Sequence, residues 1–212
     1  MPHRTFSFFI FPSLFAMLLF VAATFVIVHY ALAGDPDSGA QAAAGMLWLA
    51  VVFTALLGLL RTFAAEAEDG ALDALLLAPI DRTAIWLGTA IAQAVFLLAV
   101  QAVAVPLWWL LFFQDAGPAF WPVALALLFA TVGIALVGTV ASALALAART
   151  RDVLLPVLIL PLVIPIVLAG VTATFGAFGE EEVGVRPLGF LALYDLVFLV
   201  LAWGLSDHLF GD

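Results

Sequence analysis

The sequence predicts an all-α fold: a polytopic membrane protein of six transmembrane helices, forming one domain over residues 1–212. Three observations predict it. Hydrophobic residues make up 67% of the chain and charged residues only 10%, with a mean hydropathy of +1.27, far from the averages of water-soluble domains. The apolar residues fall into runs of roughly 20 or more, the length a helix needs to cross a hydrocarbon core about 30 Å thick. Six such runs and short loops use up the 212 residues, leaving no room for a separate soluble domain.

The first run, 6–33, ends in Ala31-Leu32-Ala33, which resembles a signal-peptidase site. Its length argues for an uncleaved first helix, because a signal peptide has an apolar region of roughly 7 to 15 residues. The others run 42–60, 84–113, 120–148, 153–175 and 188–210. Pro106, followed by Trp108 and Trp109, marks where the third span kinks or reaches the headgroups, a depth that Trp favours. Alternate loops give the orientation. Arg4, Arg61, Arg82, Arg149 and Arg151 fall on one side and only Arg186 on the other, so both termini are expected in the cytoplasm. Asp35, Asp37, Asp115 and Glu180 to Glu182 then form a solvated rim on the opposite side, or a site for a cation or partner.

Two absent residue types exclude whole classes of function. Without cysteine there are no disulfides, thiolate metal sites or Cys nucleophiles. Without lysine there is no Walker A site, whose Lys reaches the nucleotide phosphates, so any coupled ATP hydrolysis belongs to another chain. The formal charge of −9 argues against nucleic acid as a partner. Paired carboxylates occur only in loops and nothing resembles a catalytic triad or metal cluster, so the chain reads as a non-enzyme with no cofactor of its own.

One loop is neither apolar nor merely a turn. Between spans two and three, Arg61 to Pro79 reads as a short cytoplasmic helix: Asp69 is a plausible N-cap, Leu72, Leu75 and Leu76 recur at helical spacing, and Pro79 ends it. It is too short to span. Its polar face carries Glu66, Glu68, Asp69 and Asp73, where a helix lying on anionic lipid would carry Lys or Arg. Such a helix suits a groove on a cytoplasmic protein, with Leu anchors and a carboxylate rim; an ordinary solvated loop helix is the alternative.

Other residues carry two readings each. Pro156, Pro161 and Pro165 in span five free backbone carbonyls, giving either a bent, close-packed helix or a moving gate. Asp195, inside the last span, is costly against lipid and so faces the bundle or an interface. His29 is read as an interfacial histidine rather than a haem ligand, and His3 and His208 lie near the cytoplasmic ends. In span four Thr131, Ala135, Thr139, Ala143 and Ala147 stand four apart, beside Gly138 and Ser142, a small-residue face on which another helix can pack closely.

At the loop the sequence also resembles a known family. Arg61-x-Phe63, then Glu68-Asp69-Gly70-x-Leu72-Asp73-x-Leu75-Leu-Leu-x-Pro79, is similar to the acidic-Gly-x-Leu-acidic-x-Leu-Leu-x-x-Pro loop of the CcmB family. These are the membrane permease subunits of the haem-exporter type ABC complex of cytochrome c maturation. Arg149-Thr-Arg-Asp-Val-Leu-Leu-Pro156, running on to Pro161 and Pro165, resembles the family's basic turn and proline-rich fifth helix, and Tyr194-Asp195-Leu-Val-Phe-Leu its last helix. The resemblance covers nearly the whole chain. It implies a permease domain in the bacterial cytoplasmic (inner) membrane, a homodimer within a complex with a CcmA-type ATPase, CcmC- and CcmD-type membrane subunits and a CcmE-type haem chaperone. It also implies that ATP is bound by the partner, that haem is handled by the complex, and that Glu68 to Pro79 couple the two. An ABC permease for another lipid or small molecule and a non-transporting scaffold are the competing functions. The chain departs from the family pattern twice. Only Met-Pro-His-Arg precedes Thr5 where relatives begin with a basic amphipathic stretch, which leaves an N-terminal truncation or a misassigned start open. Ala64 and Ala67 also replace a charged and a larger apolar residue.

Overall fold

The structure, a computed structural model, describes residues 3–32, 36–68, 82–112, 120–146, 151–177 and 185–208, with side chains for 14–31, 42–59, 87–112, 120–141, 157–177 and 185–204. The described residues form six helices: α1 (His3–Leu32), α2 (Pro36–Glu68), α3 (Arg82–Phe112), α4 (Phe120–Leu146), α5 (Arg151–Gly176) and α6 (Val185–His208). Each contains a stretch long and apolar enough to cross a membrane.

The second helix extends beyond its apolar run at both ends. Pro36 opens it, at the helix position where a missing N–H leaves nothing unbonded. At the other end Arg61 to Glu68 continue the helix rather than starting a loop, because Ala64, Ala65, Glu66, Ala67 and Glu68 are strong helix formers and the first breaker is Gly70. With 33 residues, α2 is about 50 Å long, well over the thickness of a hydrocarbon core.

The core is built around α4. Of its apolar stretch 72% is buried, against 17% for α1 and 22% for α6. It packs on α3, α5 and α6 and touches α2, while α1 lies against α3 and α2. Lipid tails are as apolar as the helices, so association depends on close packing, which small side chains allow. The buried face of α4 supplies Ala126, Ala130, Gly133, Ala135, Gly138 and Ala141. At Gly138 a Cβ would stand 2.5 Å from Leu59 Cδ2 of α2, so the glycine makes room for that side chain.

Aromatic residues fill the wider gaps. Trp48 of α2 and Trp108 of α3 are both fully buried. Each indole donates to a different helix: Trp48 Nε1 to Thr174 Oγ1 of α5 at 2.9 Å and Trp108 Nε1 to the Ala43 carbonyl of α2 at 2.7 Å. Trp108 therefore faces the bundle, and α3 remains helical through Pro106 to Phe112.

Candidate functional site

A line of polar side chains lies inside the bundle, among largely apolar neighbours. Gln101 of α3 meets Thr131 of α4, with Nε2 donating to Thr131 Oγ1 at 2.9 Å. Thr131 also stands 2.7 Å from the Leu127 carbonyl of its own helix. Gln93, two turns earlier on α3, donates to the Ala55 carbonyl of α2 at 3.3 Å. All three side chains are buried, as is Thr54. In hydrocarbon an unpaired amide is expensive, so such bonds fix which helix faces which. Gln93 and Gln101 are not among the residues singled out from the sequence, although an amide inside a long apolar run is itself a sign of a protein-facing surface.

Asp195 sits near the middle of the apolar stretch Val185–Gly204 of α6 and is only 8% exposed. It faces the bundle. Its room comes from Gly133 of α4, where a Cβ would lie 2.5 Å from Asp195 Oδ1 and 3.0 Å from Ile166 Cδ1 of α5. The carboxyl thus occupies the junction of three helices, and among the described residues Oδ1 has no hydrogen-bond partner. One residue earlier, Tyr194 donates its hydroxyl to the Leu162 carbonyl of α5 at 2.6 Å. That carbonyl is next to the one on Pro161 for which Pro165 has no N–H to offer. The proline-rich stretch of α5 is therefore tied to α6 by a side chain, and α5 runs unbroken through Pro156, Pro161 and Pro165. Pro161 is exposed and Pro165 half-buried; the side chain of Pro156 lies outside the described residues.

The small-residue face of α4 is partly described. Ala135 and Thr139 are buried, and the Thr139 hydroxyl bonds the Leu136 carbonyl of its own helix at 2.7 Å rather than a neighbour. Ala143 is helical, with its side chain outside the described residues. His29 packs edge-on against Phe112 and Tyr30, with ring centroids 5.7 and 5.6 Å away. Among the described residues no three His, Asp or Glu side chains converge as metal ligands would. Of the acidic loop, Glu68 closes α2, while Asp69, Gly70, Leu72, Asp73, Leu75, Leu76 and Pro79 lie outside the described residues.

Six long apolar helices, an interior seam of amides and hydroxyls and a buried carboxyl define a multi-pass α-helical membrane protein. Within that class the chain belongs to the CcmB family, whose model, described as CcmB protein, matches residues 11–204. It is similar to Heme exporter protein B of Rhodobacter capsulatus, 32% identical over 176 residues that cover 82% of this chain and 79% of the relative. The protein of the same name from Paracoccus denitrificans is 32% identical over 87% of this chain and 84% of its own length. That from Bradyrhizobium diazoefficiens is 33% identical over 87% and 82%. No solved structure matches the chain.

Proposed function

We propose that this chain is the membrane subunit of a haem-export complex serving cytochrome c maturation. The carrying observation is the CcmB match over nearly the whole chain, together with relatives that are named heme exporter proteins. In this reading the protein lies in the bacterial cytoplasmic membrane with both termini in the cytoplasm. A separate ATPase subunit supplies the energy, since the chain has no lysine for a Walker A site. The complex exports haem or releases a haem-loaded chaperone, and this subunit is a permease rather than an enzyme.

The acidic stretch after α2 transmits the ATPase's motion. Support comes from α2 itself, which carries Arg61, Glu66 and Glu68 past its apolar stretch Ala42–Leu59. From Leu60 to Glu68 the helix extends about 13 Å beyond that stretch. The interior seam has a different part, holding α3 and α4 together.

The test is complementation. A bacterium deleted for its own heme exporter protein B should regain haem-stained c-type cytochromes when this chain is expressed with a CcmA-type ATPase. Unrestored cytochromes with a correctly inserted chain and a co-purifying ATPase would reject the haem assignment while retaining the ABC one.

A further inference from the structure

We infer that α5 is jointed at Pro161–Pro165 and that the Tyr194 hydroxyl of α6 latches the joint closed. Pro161 and Pro165 have no N–H, so the Val157 and Pro161 carbonyls lose their intrahelical donors, and the ring of Pro165 crowds the Pro161 carbonyl. Two successive turns of α5 thus lack a bond that stiffens the rest of the helix, the usual cause of a bend. The helix nevertheless continues across the joint, with Ile159 and Val163 buried on either side of Pro161.

Neighbouring helices hold the two arms of α5 differently. Beyond Pro165, Gly170 lies against the ring of Trp48 and Thr174 accepts from its Nε1 at 2.9 Å, which pins that arm to α2. Within the joint the bond comes from α6, where Tyr194 donates to the Leu162 carbonyl at 2.6 Å. Leu162 stands between the two prolines. The Tyr194 ring is held by its own helix, stacked on Phe198 with centroids 4.7 Å apart and an interplanar angle of 26°, and 6.0 Å from Phe190. That stack does not involve α5, so the hydroxyl bond can break while the ring stays in place. The arm before the joint would then be free to swing. From Pro165 back to Val157 it is about 12 Å long, so a change of about 20° in the bend moves Val157 by about 4 Å.

The chain has no cysteine, so paired spin labels can be placed at will on the full-length protein in lipid nanodiscs. Phe15→Cys on α1 with Val157→Cys on α5 reads the arm before the joint, and Ile27→Cys with Phe175→Cys reads the arm beyond it; all four side chains are exposed. Double electron–electron resonance should give the parent one narrow distance for each pair. Tyr194→Phe keeps the ring and its stacking and removes only the hydroxyl. It should add a second distance about 4 Å from the first between positions 15 and 157, and leave the 27–175 distance unchanged. Two distances in the parent, or an unchanged first pair in the variant, would overturn the latch. A change in both pairs would show general loosening and overturn the joint. Pro165→Ala returns an N–H to the Pro161 carbonyl, so adding it to Tyr194→Phe should restore the single distance. Persistence of the second distance would place the flexibility elsewhere and overturn the joint as well.

Discussion

Replacing Gly170 by alanine should loosen the contact between α2 and α5. A Cβ at that position would fall onto the six-membered ring of Trp48, meeting Cη2, Cζ2 and Cε2. The indole cannot simply step aside, because it is fully buried and its Nε1 is committed to Thr174, one helical turn beyond Gly170. Helix propensity favours alanine by about 1 kcal/mol. Against it stand overpacking, about 1–3 kcal/mol, and the loss of the Trp48–Thr174 bond, about 0.5–1.5 kcal/mol. The collision wins by about 2 kcal/mol, which in a chain of this size lowers the melting temperature by about 4–8 °C. The assay is thermal unfolding of the detergent-purified protein, repeated in a Trp48→Phe background. There the smaller ring leaves room, so the alanine should cost little and the two changes should couple by more than about 1 kcal/mol. An unchanged melting temperature for Gly170→Ala, or additive effects in the double variant, would refute the reasoning.

Gly133→Val should evict the Asp195 carboxyl from the junction of α4, α5 and α6 and lower thermal stability more than Gly189→Val, a position with nothing within 4 Å. Ala135→Leu, on the buried face of α4, should destabilise by about 1–3 kcal/mol through overpacking; a melting curve unchanged from the parent would mean that the face has slack. Leu72→Ser combined with Leu76→Ser should leave the chain in the membrane and release the ATPase, because each fully buried Leu anchor contributes about 1.5–3 kcal/mol to a small interface. Full ATPase co-purification with that double variant would take the loop out of the coupling role. Single cysteines at Asp37, Asp73 and Glu181, tested with an impermeant thiol reagent on intact cells, should label at 37 and 181 and stay unlabelled at 73. The opposite pattern would invert the orientation.

How far the sequence carries depends on whether a property is local. Six apolar runs are legible because hydrocarbon demands a fixed length of apolar chain, and the helix bounds differ from those runs by only a few residues at most ends. The exception is α2, where Arg61 and the acids after it suggest a loop. Leaving the hydrocarbon ends the apolar run but does not end a helix, and the Ala and Glu residues there sustain one. The small-residue character of α4 is likewise legible, and it is the most buried of the six. Which residue meets which helix is not. Thr131 faces Gln101, Gly138 receives Leu59, and Gly133, outside the four-residue series, makes the room for Asp195.

The sequence by itself determined the membrane class, the number of helices, the absence of a Walker lysine and the family, because each rests on composition or on residues adjacent along the chain. Only the tertiary structure decided that Trp108 turns inward to the Ala43 carbonyl, that Tyr194 ties α6 to the proline-rich α5, and that Gln101 meets Thr131. Those are choices of rotation about a helix axis. In lipid no difference in hydrophobicity between one face and another fixes that rotation, so close packing and a few buried hydrogen bonds between distant residues must do so.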